Sequence, residues 1–223
     1  MTDHVDPTDG THGTDGITWL AKPRSISFEG YSVTLGRGIA LAELAARVVE
    51  SAEHEALRMV MLGDLTAEEL VEEIEEVNRD DTGLRFGEHG EWAFVVKHGN
   101  WPGKFGLDPA LSVDGAEVFL LEYEEENGKP VPPEFWYVRD GRTMCRFNLH
   151  LDDSWGHGEV SGDPEVAAQV RELLAAAGLP DHDRPRREVH RTVLEVLEGH
   201  FGLSLPRALA LNAPLPAVIL EET

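Results

Sequence analysis

The 223-residue chain has one cysteine, four lysines and no long apolar run. A lone Cys145 cannot form an intrachain disulfide or a thiolate metal cage, so we expect a reducing, cytoplasmic compartment. No run approaches the roughly 18 apolar residues of a membrane helix. The first residues also lack the basic and apolar regions of a secretory signal, so we expect neither a membrane span nor secretion.

Local sequence motifs that bind cofactors or carry out catalysis are missing from the chain. There is no glycine-rich phosphate loop before a lysine, no dinucleotide fingerprint, no paired-histidine zinc helix and no nucleophile elbow. We therefore predict no cofactor and favour a non-enzymatic role. An enzyme remains an alternative, because many active sites leave no local pattern.

Positive charge is scarce, and the formal net charge is −23. The stretch from Glu43 to Asp81 alone holds thirteen acids against three arginines. Acidity on this scale opposes contact with nucleic-acid phosphates and anionic lipid, and it steers basic molecules toward the surface. We therefore expect a basic protein partner and neither nucleic-acid nor membrane binding.

The periodicity of the apolar residues predicts an α+β fold. Helical spacing occurs over Ile39 to Glu50, over Thr66 to Asn78, and after Pro164 and Pro185, whereas alternation over 84–149 indicates strands. The Asp140-Gly141 pair predicts a type I′ hairpin. We expect an antiparallel meander of about four to six strands, packed by N-terminal and C-terminal helices, with 217–220 as a candidate final strand.

Residues 1–16 form a polar, acidic tail with too little apolar surface to fold, so we predict disorder there. The remainder, 17–223, is predicted as one α+β domain. Within it, residues from about 180 to 223 are predicted as a C-terminal helical extension.

The helix that begins at Thr66 carries acids on most of its surface. Thr66 and Glu69 form a capping box, and no lysine lies four residues after any of the glutamates that follow. A solvated face and a docking surface for a basic partner are both consistent with this pattern. Loop tryptophans, which serve either as lids or as interface anchors, complete the predicted partner-binding set: Glu68, Glu72, Glu73, Glu76, Trp101 and Trp155.

Two further clusters have candidate roles. The segment after the last predicted strand of the meander contains His150, Asp152, Asp153 and His157, residue types that suit a catalytic divalent metal. If the loop binds a metal, His150, Asp152 and His157 are the candidate ligands. An ordinary connecting loop and a partner-binding loop are the alternatives.

Three arginines, Arg184, Arg186 and Arg187, crowd the start of the Pro185 helix, where the helix dipole disfavours cations. Either a bound anion or ion pairs with the acidic helix would offset that cost.

The segments Tyr31-x-Val33-Thr34-Leu35-x-Arg37-Gly38 and Gly90-Glu91-Trp92-Ala93-Phe94, together with the start at Trp19, resemble a family of actinobacterial cytoplasmic proteins with no assigned activity. The resemblance spans about residues 17–178 and implies an α+β fold with an added segment after Pro180. It transfers no functional residue. We therefore expect an acidic protein-interaction module, of an immunity or conflict-system type, that binds a basic partner. A metal-assisted hydrolase built on the 150–159 loop is the alternative.

Overall fold

The computed structural model describes residues 16–26, 30–52, 57–77, 81–99, 107–124, 133–152 and 158–222. Within these ranges the strands are β1 (Gly30–Arg37), β2 (Leu57–Leu65), β3 (Thr82–His89), β4 (Trp92–Gly99), β5 (Glu117–Glu124), β6 (Glu134–Arg139), β7 (Arg142–Asn148), β8 (Ser161–Gly162) and β9 (Leu215–Glu222). The helices are α1 (Leu41–Ala52), α2 (Ala67–Val77), α3 (Pro164–Ala176), α4 (Arg186–Phe201) and α5 (Arg207–Asn212). Two 3₁₀ turns are η1 (Thr18–Ala21) and η2 (Pro109–Ser112).

The strands form one antiparallel sheet in the order β2-β9-β3-β4-β1-β5-β6-β7-β8. The α+β class is therefore confirmed, but the expected four to six strands are corrected to nine within the described ranges. The main omission is β2, which the alternation did not reveal. A shift of register between Met61 and Gly63 interrupts its period of two, so apolar residues do not recur on one face along its length.

The last strand also changes the topology from a simple meander. β9 lies between β2 and β3 and pairs with both, so the end of the predicted helical extension is an inner strand of the sheet. The Asp140-Gly141 hairpin joins β6 to β7 as predicted, with φ of 50° and 70° at the two turn residues. Both values lie in the left-handed region that this turn requires.

Each face of the sheet buries an apolar layer. We call one the α4 face, where Tyr31, Val33 and Leu35 of β1 lie in the same cluster as Val193 and other residues of α3, α4 and η1. The other is the α1 face, where β3, β4 and β5 pack against Leu44, Val48 and Val49 of α1. On the α4 side of β9, Leu70 and Ile74 of α2 cover Ala217 and Ile219.

The first described residues are tied to the C-terminal part of the chain. The Glu198 carboxylate accepts hydrogen bonds from the backbone N–H groups of Ile17 and Thr18 at 2.7 and 2.9 Å. Trp19 Nε1 donates to the carbonyl of Leu205 at 2.7 Å. The residues after 180 are therefore packed against the start of the described chain, in the same core. No helix in the described ranges has the length and apolar character needed to cross a membrane.

Candidate functional site

The start of α2 sets the orientation of its acidic face. Thr66 Oγ1 accepts a hydrogen bond from the backbone N–H of Glu69 at 3.3 Å, and Glu69 Oε2 accepts from the backbone N–H of Thr66 at 2.8 Å. The predicted capping box is therefore confirmed, and these hydrogen bonds lower the pKa of Glu69. Leu70 and Ile74 are buried, so the intervening carboxylates point away from the sheet.

Four predicted partner-binding residues share this outer face. All are exposed, and none of their side chains makes an ion pair or hydrogen bond with another described residue: Glu68, Glu72, Glu73 and Glu76. Their spacing of three and four residues places like charges next to one another. Exposed carboxylates that make no ion pair remain available to a cationic ligand, and salt weakens that attraction.

A groove of about 730 Å³ borders this face, between α2, α5 and residues 24–26; we call it the α2–α5 groove. Glu68 and Glu72 line it together with Arg24 and apolar side chains such as Val71 and Leu211. A lysine or arginine side chain has an aliphatic stem and a charged end. The groove therefore offers apolar contact to the stem and carboxylates to the charge.

The two predicted tryptophan anchors, Trp101 and Trp155, lie outside the described residues. Their role at an interface stays a prediction.

His150 is packed among aromatic rings at one end of the sheet. Its ring lies edge-on to Tyr123 at 5.5 Å between centroids and 6.2 Å from the ring of His190. Neither ring nitrogen has a hydrogen-bond partner in the described structure. Burial lowers the pKa of His150 to about 4, so the imidazole is neutral at physiological pH.

The other described member of this loop, Asp152, is engaged by an arginine. Arg186 donates to its carboxylate from Nε at 3.0 Å, and Nη2 lies 2.9 Å from the same oxygen. No three potential ligands converge on a metal position among the described residues. Asp153 and His157 lie outside these residues, so the metal and hydrolase roles of the loop stay predictions.

The arginine cluster at the start of α4 pairs locally. Arg184 Nε lies 3.5 Å from the carboxylate of Asp181, while Arg186 reaches Asp152. For these two arginines, the expected ion pairs with the acidic helix are replaced by pairs with nearer aspartates. Arg187 also has an interaction in the structure, and anion binding by the cluster stays a prediction.

Sequence reasoning missed a buried tyrosine–histidine contact. Tyr31 Oη and His190 Nε2 are 2.6 Å apart, and Tyr123 stacks on the His190 ring at 4.3 Å. His190 is 1% exposed, and burial lowers its pKa to about 3. The sequence did contain an indication that His190 is buried. His190 precedes Val193, Leu194 and Leu197 by three, four and seven positions, which is the spacing of a buried helix face.

No protein-family model, curated protein or solved structure matches this chain. The resemblance to an actinobacterial family thus stays a prediction, and the function is argued from the surfaces described above.

Proposed function

We propose that this protein is a non-enzymatic interaction module that binds a basic protein partner through the outer face of α2, in the manner of an immunity or conflict-system protein. One observation carries the proposal. Glu68, Glu72, Glu73 and Glu76 are exposed and make no ion pair within the described structure, and two of them line the α2–α5 groove.

The energetics of α2 support this role. Like charges three and four residues apart destabilise a helix by a few tenths of a kcal/mol per pair. A cationic partner would relieve that repulsion on binding. The excess negative charge would also accelerate encounter with the partner, and salt would reduce the rate.

The test uses a fluorescent ten-residue arginine peptide as the basic probe, with binding followed by anisotropy at low and physiological salt. We expect the affinity to fall with salt. Replacing the four glutamates of α2 with glutamine, in the variant E68Q/E72Q/E73Q/E76Q, should weaken binding about tenfold, or about 1.4 kcal/mol.

The matched control, E165Q/E172Q/E188Q/E195Q, removes the same charge from exposed sites on α3 and α4. It should weaken binding much less than the α2 variant. Equal losses in the two variants would mean that net charge alone attracts the peptide, and the α2 face would then not be the binding site.

A further inference from the structure

A second groove lies on the opposite side of the sheet, between α1 and the strands at the sheet edge. We call it the edge groove. It encloses about 500 Å³, and its lining is apolar except for Glu50. Ala45 and Val49 of α1 form one wall, and Met61 of β2, Phe86 of β3 and Val218 of β9 form the floor.

The two faces of the sheet differ at this edge. On the α4 face, α2 covers Ala217 and Ile219 of β9. On the α1 face, Met59 and Met61 of β2 remain 45% and 65% exposed, unusual values for large apolar side chains of this protein. Methionine is flexible and polarisable, and exposed methionines are common on surfaces that adapt to apolar partners.

Acidic residues surround the edge groove. Glu50 lines it, Asp64 lies opposite the groove residue Pro216, and Glu88 follows Phe86 by two positions on the same face of β3. All three are exposed, and none pairs with a cation among the described residues. An apolar floor with an acidic rim complements a segment that is apolar on one side and basic on the other.

Other occupants fit these charges poorly. A second copy would bring another net charge of −23 to the same surface, and this repulsion opposes self-association. The segment 1–15 contains four aspartates and no lysine or arginine. Its charge matches that of the rim, and it has almost no apolar side chain to bury.

We propose that the edge groove binds an amphipathic, basic helix from a partner protein. Apolar side chains of that helix would cover Met59 and Met61, while its lysines or arginines would pair with Glu50, Asp64 and Glu88. The small residues Ala42, Ala45 and Ala46 line the groove side of α1, which allows a second helix to approach at the short end of the usual 8–10 Å interaxial range. The added helix would complete the layer that α1 begins on this face.

The test exploits the four methionines of the chain, Met1, Met59, Met61 and Met144. Protein labelled with ¹³C at the methionine methyl groups is titrated with a 14-residue leucine–lysine peptide designed as an amphipathic helix. We expect the Met59 and Met61 signals to shift in a saturable manner. Met144 is the internal control, because it lies on β7, near the opposite edge of the sheet from β2.

A scrambled peptide of the same composition supplies equal charge without an apolar helix face, so it should leave Met59 and Met61 unshifted. The variant M59Q/M61Q should bind the helical peptide about tenfold more weakly by anisotropy, because it loses apolar area in the groove. V113Q, which alters another exposed apolar residue, should bind as the parent does. Thermal unfolding of each variant checks that it remains folded.

Three outcomes would overturn the proposal: no shift of Met59 or Met61 at saturating peptide, equal shifts with the scrambled peptide, or shifts that depend on protein concentration alone. The last would assign the groove to a second copy. The proposal stands apart from the α2 interaction. In E68Q/E72Q/E73Q/E76Q the helical peptide should still shift Met59 and Met61, so failure of one surface is distinguishable from failure of the other.

Discussion

His98 and His190 are buried as neutral imidazoles in the sheet and in α4. His98 is 0% exposed, and neither of its ring nitrogens has a hydrogen-bond partner in the described structure. Burial lowers the pKa of each residue to about 3. The reference value in an unfolded chain is about 6.5, so these residues link stability to pH.

Both histidines should make the protein less stable in acid. Below about pH 6.5 the unfolded chain binds protons that the folded protein does not, so the free energy of unfolding falls as pH decreases toward 3. Above about pH 6.5 both states hold these imidazoles neutral, so the two histidines no longer reduce the free energy of unfolding. Between pH 7.5 and pH 5 we expect each histidine to lower the free energy of unfolding by about 2 kcal/mol. Urea unfolding at the two pH values measures this difference.

The variant H98L isolates one of the two residues. It removes a buried imidazole that has no hydrogen-bond partner among the described side chains and backbone, so the free energy of unfolding at pH 7.5 should be equal or higher. The fall in unfolding free energy toward pH 5 should be about 2 kcal/mol smaller than in the parent. H182L, at an exposed position, should behave as the parent. An H98L variant with the parent's acid sensitivity would contradict this assignment.

Arg85 is a fully buried cation that joins three parts of the fold. Its guanidinium donates to the carbonyls of Leu65 at 2.9 Å, Ala210 at 2.5 Å and Ala213 at 2.5 Å. Burial lowers its pKa to about 10, so it remains charged at neutral pH. These carbonyls belong to β2, α5 and the segment after α5. Without Arg85 these carbonyl oxygens would lose a hydrogen-bond donor near buried surface.

We predict that R85K destabilises the protein by about 3 kcal/mol, because one ammonium cannot reproduce three donors in a planar fork. Chemical unfolding at neutral pH measures the change. R58K, at a position that is 70% exposed, should change stability by less than about 0.5 kcal/mol. A loss in R85K no larger than in R58K would mean that these three hydrogen bonds do not stabilise the fold.

At the scale of the element, α2 combines a strong start with unfavourable charge along its length. The capping box and the buried Leu70 and Ile74 support the helix, whereas Glu72, Glu73 and Glu76 repel one another and lie toward the end where the dipole disfavours anions. Charge that opposes the helix while facing solvent is consistent with a surface used for binding.

We predict that E72Q/E73Q/E76Q raises the free energy of unfolding by about 1 kcal/mol at low salt, while weakening binding of the arginine peptide. Added salt should remove most of the stability gain because it screens repulsion between exposed charges. Thermal or urea unfolding at two salt concentrations tests this. A loss of stability in this variant would show that these carboxylates are needed for folding, and would weaken the case for a binding surface.

At the scale of the whole molecule, β9 decides whether the sheet is continuous. It separates β2 from β3, and it carries Ala217 and Ile219 beneath α2 and Val218 and Leu220 on the α1 face. Its position makes the last residues of the chain part of both cores.

Truncation after Ala213 should therefore abolish cooperative unfolding, because it leaves β2 without a neighbour and uncovers apolar surface on both faces. Circular dichroism and thermal unfolding provide the measurement. Removal of residues 1–15, which the sequence predicts to lie outside the fold, should leave the melting temperature unchanged. Normal unfolding of the C-terminal truncation would show that β9 is dispensable.

The candidate surfaces were only partly predictable. The exposed glutamates of α2 followed from the capping box and the stripe formed by Leu70 and Ile74, since helical period alone defines which residues point outward. The edge groove could not be predicted in this way, because its lining residues come from α1, β2, β3 and β9. Nothing local indicates that Met59 and Phe86 will share a cavity.

The sequence by itself determined the α+β class, the Asp140-Gly141 hairpin, the start of α2 and the uneven distribution of charge. Each depends on residues only a few positions apart, where backbone preferences and side-chain periodicity are decisive. Only the tertiary structure decided that β9 inserts between β2 and β3, that Asp152 pairs with Arg186, and that the His98 imidazole is buried with no hydrogen-bond partner among the described residues. These contacts join residues far apart in the chain, and their formation depends on the competition among whole elements for apolar cover and hydrogen-bond partners.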